Sequence, residues 1–297
     1  MNGLLIIDKP VGLTSHDVVA RVRRTLKTKR VGHTGTLDPF ATGVMVILVG
    51  QATRLAQFLD KDQKEYEAVV RFGFETDTGD RTGIPKSKVQ SPKSVSVEDI
   101  ERVLPRFRGQ IEQVPPMYSA KKVEGKKLYE LARKGVEIER KAVTITIHEL
   151  EVLNADEILS SDTTICLRVV CSAGTYIRTL AENIGRAVVV GAHLAELRRT
   201  RAGRFDISTA LTLAVLEVMT DPVLAMIPMT EAVVHLPEVV LNEDRVVKTK
   251  NGLSSRFPDA AFTDGDTVRM VDLYAELIAI GVYNAKEKTV QPKLVLS

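Results

Sequence analysis

The apolar residues of this chain fall into short runs rich in β-branched side chains, and several runs alternate with polar residues. Runs of this kind predict β-strands. The predicted strands are LLII near the start, GVMVILVG (43–50), EYEAVVRFGF (65–74), AVTITIHELEVL (142–153) and TTICLRVV (163–170). Because some of these strands follow one another without a helix between them, the pattern favours an α+β fold over a regular βαβ repeat.

Three segments have helical spacing instead. In TSHDVVARVRRTLK, Thr14 and Asp17 resemble a capping box, and an apolar residue then recurs at every fourth position. A second helix is predicted in SVEDIERVLPRF (96–107), with its serine as the N-cap. A third is predicted in TYIRTLAENIG (175–185), with Gly185 as its C-cap.

Composition divides the chain into regions. After residue 232 the predicted strands are short and are separated by turn signals such as Asn251-Gly252. We therefore expect a larger domain over residues 1–232 and a small β-rich module over 233–297. Residues 105–141 are rich in lysine and proline with little strand pattern, and we expect them to form an insertion arm on the larger domain.

Composition excludes several classes of protein. With 297 residues, 44% of them hydrophobic and 27% charged, the chain is typical of a globular protein with a sizeable core. No run of eighteen apolar residues occurs, so no membrane segment is predicted. Cys166 and Cys171 lie five positions apart in a predicted strand, hence on opposite faces, with no metal-ligand spacing around them. These observations favour a reducing, cytoplasmic location and no bound metal.

The net charge of +3 is small, but the basic residues are clustered. Residues 20–30 hold six bases and no acid, 119–135 hold six bases against two acids, and 197–204 hold four arginines. Solvated surfaces also carry such clusters. Three of them with few aromatic residues nevertheless favour contacts with the phosphates of a nucleic acid.

One loop combines backbone control with a carboxylate. VGHTGTLDPFATGV (31–44) places three glycines around Asp38, and Pro39 fixes the chain directly after it. The segment is either an ordinary Asp-Pro turn or a device that holds a carboxylate at the edge of a strand, facing a cleft. His33 lies five residues before Asp38 and is a base, a ring that contacts a ligand, or a structural histidine.

Two further positions could carry chemistry. Tyr66, near the start of a predicted strand, is either a packing residue or a platform on which a base stacks. Arg178 falls in the first turn of the third predicted helix. It is either a surface residue or the bidentate partner of a buried carboxylate, whose pKa it would then lower.

These blocks together resemble one family. GHTGTLDPFATGV is similar to the signature loop of the TruB-type tRNA pseudouridine synthases, and five other blocks occur in the same order as in that family. They are DKPVGLTSHDVV, KEYEAVVRFG with TDTGD, QVPPMYSAKKVEGKKLYELARKG, CSAGTYIRTLAENIG and GAHLAELRRTRAG. The resemblance covers residues 3–230, and the last sixty residues resemble the PUA-like RNA-binding module of such enzymes.

The resemblance implies a pseudouridine synthase domain with a mixed, largely antiparallel central sheet, followed by that module. It also implies the catalytic residues. Asp38 matches the catalytic aspartate, and Arg178 matches the arginine that pairs with it. Tyr66 matches the tyrosine that stacks on the flipped base and is implicated in proton removal at C5.

The resemblance further implies a substrate-binding set. His33 matches the histidine that stacks into the T loop and helps displace the target uridine, and Tyr176 and Leu197 match residues that line the base pocket. Lys9 matches a motif that supports the active-site loop, and Asp80 falls close to the nucleic-acid surface. One departure is Val189, which stands where relatives often have glycine.

The implied activity is isomerisation of the T-loop uridine (U55) of tRNA, without cofactor or metal, by a monomer that needs no protein partner and contacts the T-arm stem-loop. The aspartate acts on the sugar, on the base, or as a base toward the ribose, and the sequence leaves these routes open. Alternatives are a guide-RNA-dependent pseudouridine synthase, a non-catalytic tRNA chaperone, and a nucleoside hydrolase.

Overall fold

The computed structural model describes residues 1–59, 63–86, 95–119, 122–123, 125–132, 134–136, 138–153, 164–258 and 260–296. The strands are β1 (Gly3–Lys9), β2 (Val31–His33), β3 (Thr42–Val49), β4 (Lys64–Phe72), β5 (Gly109–Gln113), β6 (Lys122–Val123), β7 (Lys126–Lys127), β8 (Val143–Val152), β9 (Thr164–Cys171), β10 (Ala192–Ala202), β11 (Phe205–Asp206), β12 (Leu211–Thr212), β13 (Glu238–Val240), β14 (Ser255–Arg256), β15 (Thr267–Val271), β16 (Leu277–Asn284) and β17 (Thr289–Val295).

The α-helices are α1 (Ser15–Thr25), α2 (Ala56–Leu59), α3 (Val97–Val103), α4 (Leu128–Ala132), α5 (Ile177–Ala187), α6 (Leu213–Val218), α7 (Met229–Ala232) and α8 (Glu243–Lys250), with 3₁₀ turns at Gly50–Leu55, Leu104–Phe107, Ile207–Thr209 and Pro222–Ala225. The capping box predicted at Thr14 and Asp17 is confirmed at the start of α1. No helix in the described part of the chain is long and apolar enough to span a membrane.

A large sheet runs in the order β12-β1-β3-β10-β4-β9-β8-β5, with β2 paired to β3 and β11 paired to β10. Its described pairs are antiparallel except β1 with β12 and β3 with β10. The expected mixed, largely antiparallel sheet and the α+β class are therefore confirmed. A second sheet, β13-β15-β16-β17-β14, lies in the C-terminal region, as the turn-rich pattern there predicted.

Burial shows where the core lies. β3 is apolar and buried along almost its whole length. One of its faces belongs to the apolar cluster that includes α1 and α5, and the other belongs to the cluster that includes residues of the C-terminal sheet. β4 alternates buried and more exposed residues, so one face of the large sheet points into the core and the other carries charged side chains. Cys166 and Cys171 fall on these opposite faces of β9 and form no disulfide.

The predicted end of the third helix is wrong. α5 continues through Gly185 to Ala187, because Gly185 serves helix packing instead of capping. A Cβ atom at Gly185 would lie 2.3 Å from the backbone nitrogen of Ala192 on β10. The left-handed residue that ends the helix is Val189, with φ of 63°.

Two other expectations need correction. The insertion arm was expected from residue 105, but residues 109–113 form β5 and pair with β8 at the edge of the large sheet. Residues 120, 121, 124, 133 and 137 of that arm lie outside the described residues. The C-terminal module also contains α8, which the strand-rich pattern did not indicate.

The arginines of residues 197–204 lie largely on β10, and each has a partner within the protein. The pairs are Arg198 with Asp8, Arg199 with the Val44 carbonyl, Arg201 with Glu65 and Arg204 with Glu231. Arg198, Arg201 and Arg204 are partly exposed beside these partners, so the expected contacts with nucleic-acid phosphates stay a prediction.

Candidate active site

The loop between β2 and β3 carries Asp38 and is anchored from below. Ser15, buried at the start of α1, accepts a hydrogen bond from the Leu37 nitrogen at 2.9 Å and donates one to the Leu37 carbonyl at 3.2 Å. The fully buried Lys9 donates to the Ala41 carbonyl at 2.6 Å. Gly43 closes the loop with φ of 104°, where a Cβ atom would lie 2.2 Å from the Arg199 carbonyl oxygen. The loop is thus held rigidly against β1, α1 and β10.

Arg178 in the first turn of α5 pairs with Asp38. Its Nε lies 3.0 Å from Oδ2 of Asp38, and its Nη2 lies 3.3 Å from Oδ1, so the pair is bidentate. The same guanidinium donates to the carbonyls of Thr78 at 3.0 Å and Tyr118 at 2.7 Å. The side chain of Arg178 is only 6% exposed, so its charge is directed at Asp38 and not at solvent.

Asp80 lies behind this pair. It is buried, one of its carboxylate oxygens accepts from the Thr82 nitrogen at 2.9 Å, and the other lies 3.6 Å from Nη1 of Arg178. Burial raises the pKa of Asp38 above its ordinary value, the Arg178 charge opposes this shift, and the Asp80 charge adds to it. The three groups form one electrostatic unit.

Asp38 opens onto a cavity of about 280 Å³, called the inner chamber, whose walls include Tyr66, Tyr176, Leu197 and Arg178. Five residues expected from the sequence thus meet in one place. Burial raises the pKa of the Tyr66 phenol, and the neighbouring Arg199 charge opposes the rise. Tyr66, Tyr176 and Leu197 give this chamber aromatic and apolar surface beside its polar groups, a combination that suits a nucleobase.

A second cavity of about 520 Å³, the outer chamber, lies on the other side of Asp38. It is lined mainly by polar side chains, among them Thr14, His16, Asp80 and Thr82. Asp38, Arg178 and Ser119 line both chambers, so they mark the boundary between the two.

His33 and Lys9 line neither chamber. His33 is half-buried on β2, where its Nδ1 accepts from the Gly35 nitrogen at 3.2 Å and its ring meets His16 edge-on at 6.0 Å between centroids. Burial lowers the pKa of His33, so its ring is neutral at neutral pH. Burial also lowers the pKa of Lys9, to about 8, against the opposing charge of Asp38. Lys9 supports the loop from behind and has no access to a ligand.

Several residues that shape the site were not predicted from the sequence. The amide of Gln113 on β5 accepts from the Tyr176 nitrogen at 2.8 Å and donates to the Tyr176 carbonyl at 3.1 Å. The buried Arg199 donates to the carbonyls of Val44 at 2.7 Å and Gly35 at 3.3 Å. Arg199 on β10 lies directly opposite Tyr66 on β4. Only this strand register, which the sequence alone does not give, could have predicted that Arg199 belongs to the site. Within the described residues, no group of three His, Cys, Asp or Glu side chains is arranged to hold a metal ion.

Comparison with solved structures shows the class of protein. The fold matches a crystal structure of a Cbf5-Nop10-Gar1 complex with a TM-score of 0.74 and 31% identity, over 99% of this chain and 85% of that one. Together with a carboxylate–arginine pair at the mouth of a base-sized chamber, this fold defines a pseudouridine synthase, an isomerase.

The sequence comparisons show the family. The profile of the TruB family pseudouridylate synthase N-terminal domain matches residues 23–177, and that of the tRNA pseudouridylate synthase B C-terminal domain matches residues 178–233. A tRNA pseudouridine synthase B of Bacillus pumilus is 40% identical over 100% of this chain and 98% of its own length. That of Solibacter usitatus is 42% identical over 95% of each. The chain belongs to the TruB family.

Proposed function

We propose that this enzyme converts the T-loop uridine (U55) of tRNA to pseudouridine, in the cytoplasm and as a monomer. The curated relatives that match its whole length are named for tRNA. The observation that carries the proposal is the bidentate Arg178–Asp38 pair at the mouth of the inner chamber. It presents a carboxylate to a base that has entered the chamber.

The reaction breaks the N1–C1′ bond, turns the base, and joins C5 to C1′, while the C5 proton is lost and N1 regains one. Asp38 supplies the carboxylate at the glycosidic bond, and Arg178 keeps it ionised. Tyr66 faces the base as a phenol, gives its proton to N1, and takes up the C5 proton in the resulting phenolate form. Arg199, directly opposite Tyr66 on the neighbouring strand, stabilises the charge that the tyrosine oxygen carries in its deprotonated form.

The target base must leave its stack before it can enter the chamber, at a cost of roughly a few kcal/mol. Stacking on an aromatic side chain such as Tyr66 returns about 1–3 kcal/mol. The neutral ring of His33 fills the space left in the T loop. The basic residues of 20–30 contact phosphates, which makes RNA affinity fall steeply with salt.

The catalytic region in this proposal spans residues 1–232, and residues 233–297 form the PUA-like RNA-binding module. No guide RNA is needed. The chain is 31% identical to the matched chain of the Cbf5-Nop10-Gar1 complex, whereas it is 40% identical over its whole length to the tRNA pseudouridine synthase B of Bacillus pumilus. Activity of the purified chain on a T-arm stem-loop, without any added RNA or protein, distinguishes a stand-alone enzyme from a guide-RNA-dependent one.

The test is tritium release from [5-³H]uridine in a T-arm stem-loop, with the wild type, Asp38→Asn, and Asp206→Asn as a matched carboxylate that lines neither chamber. We expect release without free uracil for the wild type and Asp206→Asn, and RNA binding without release for Asp38→Asn. Free uracil would identify a hydrolase. Binding without release by the wild type would identify a chaperone or a guide-dependent enzyme, and release by Asp38→Asn would remove Asp38 from the mechanism.

A further inference from the structure

The hydroxyl of Ser119 is an exception among the buried polar groups of the site. Ser119 is 5% exposed, and among the described residues its Oγ has no hydrogen-bond partner. Native proteins pair nearly all buried polar groups, because an unpaired one destabilises the folded state. A buried hydroxyl that lines a chamber and has no partner among the described residues is therefore available to a ligand.

The position of this hydroxyl is fixed by the catalytic arginine. Arg178 donates to the carbonyl of Tyr118 at 2.7 Å, which holds the backbone directly before Ser119 beside the Arg178–Asp38 pair. Ser119 also lines both chambers. Its hydroxyl therefore lies where the inner chamber meets the outer chamber.

The location indicates which part of a nucleotide Ser119 meets. If the base fills the inner chamber, as the proposed function requires, the sugar bonded to it falls at the boundary between the chambers. Within an RNA chain O3′ and O5′ are esterified, so the 2′-hydroxyl is the sugar group that both donates and accepts hydrogen bonds, as a serine hydroxyl does. We propose that Ser119 binds the 2′-hydroxyl of the flipped uridine and positions the ribose against Asp38.

The test is a cycle of four dissociation constants, measured by fluorescence anisotropy in an Asp38→Asn background that prevents turnover. The protein carries Ser119 or Ser119→Ala, and the T-arm stem-loop carries uridine or 2′-deoxyuridine at the target position. A lost hydrogen bond weakens binding about fivefold. We expect Ser119→Ala alone and 2′-deoxyuridine alone each to raise the dissociation constant about fivefold, and the two together to raise it no further. If the two changes together raise the dissociation constant by the product of their separate factors, the proposal is overturned.

Thr179→Val is the matched control. Thr179 is also buried, its Oγ1 likewise has no partner among the described residues, and it follows Arg178 on α5 without lining either chamber. We expect this variant to bind both stem-loops like the parent. Loss of affinity equal to that of Ser119→Ala would show that any buried hydroxyl near Arg178 has this effect.

Two more measurements distinguish a failure of the Ser119 proposal from a failure of the proposed function. The melting temperature of Ser119→Ala should be no lower than that of the wild type, because its Oγ bonds to none of the described residues; a lower value would contradict the inference. With Asp38 intact, Ser119→Ala should lower kcat/KM for tritium release about fivefold. Absence of release by the wild type overturns the proposed function itself, whereas normal release by Ser119→Ala overturns only the role of Ser119.

Discussion

At the residue scale, Arg178 divides its hydrogen bonds between the carboxylate of Asp38 and two main-chain carbonyls. The carbonyls of Thr78 and Tyr118 fix the guanidinium plane, Asp38 meets it in a bidentate arrangement, and Asp80 lies 3.6 Å from its Nη1. A lysine could not satisfy three directions at once with the same geometry. The ionisation of Asp38 therefore depends on Arg178 more than on any other side chain.

The pH dependence of the reaction follows from this pair. Burial raises the pKa of Asp38 and Arg178 opposes the rise, so the rate should fall as the pH drops through that raised pKa. In Arg178→Gln the opposing charge is gone, the pKa of Asp38 rises further, and the acidic limb should move to higher pH. Single-turnover rates across the pH range measure this shift. Arg186→Gln, an exposed arginine of the same helix, is the control, and an unmoved limb in Arg178→Gln would contradict the argument.

Arg199 offers a second prediction, because its charge opposes the burial that raises the pKa of Tyr66. Arg199→Met should slow removal of the C5 proton by about tenfold or more, since the charge on the tyrosine oxygen is then uncompensated in a buried site. The isotope effect with [5-²H]uridine should increase at the same time. Arg199→Lys keeps the charge and should retain more activity. A slower reaction with an unchanged isotope effect would limit Arg199 to a structural role.

The sequence predicted the site residues that lie in recognisable motifs. It did not predict those whose role depends on a contact with a residue far away in the sequence. Asp38, Tyr66 and Arg178 lie in blocks of unusual composition, and the structure brings them together. Ser15 and Gln113 are ordinary in sequence and matter only because folding places them against Leu37 and Tyr176. Such contacts join positions 22 and 63 residues apart, which no local pattern reports.

At the scale of elements, periodicity predicted the strands of the large sheet well and the helix ends less well. α1 begins at the predicted capping box, because capping depends on residues within one turn. α5 passes the glycine at which it was expected to stop, since Gly185 is required by the close approach of Ala192. β5 was missed because a short edge strand with exposed polar residues has little hydrophobic pattern to reveal it.

The end of α5 carries measurable strain. Val189 is β-branched, has φ of 63° and is 82% exposed. Its left-handed backbone conformation is therefore unfavourable, and burial of its side chain does not compensate for this. Val189→Gly should raise the free energy of unfolding by about 1 kcal/mol. Val218→Gly is the matched control, because Val218 is equally exposed but ends α6 with an ordinary backbone, and it should lower stability by about 0.5 kcal/mol. Urea titration followed by circular dichroism measures whether each variant raises or lowers the free energy of unfolding. A lower value for Val189→Gly would show that Val189 is not strained.

At the scale of the whole molecule, the two sheets share apolar core. Leu4 and Ile6 of β1 belong to the same buried cluster as Leu277 and Ile280 of β16. The C-terminal sheet also has a cluster of its own, which includes Ile278. Neighbouring residues of β16 thus serve different purposes, one facing the large sheet and the other the interior of the module.

This division predicts how the protein melts. The wild type should unfold in a single calorimetric transition, because the shared cluster couples both sheets. Leu277→Ala should remove about 2–5 kcal/mol from that cluster and separate the melting into two transitions. Ile278→Ala weakens only the core of the module and should lower the midpoint without creating the same separation. Two transitions already present in the wild type would disprove the coupling.

The loop around Asp38 is held almost entirely through its main chain. Lys9 binds the carbonyl of Ala41, Ser15 binds the nitrogen and carbonyl of Leu37, and Arg199 binds the carbonyl of Gly35. A loop fixed in this way keeps its shape when its side chains are exchanged. Thr36 is exposed and lines both chambers, so it is the position that a mutant library should randomise first when the aim is to admit a different nucleotide while leaving Asp38 in place.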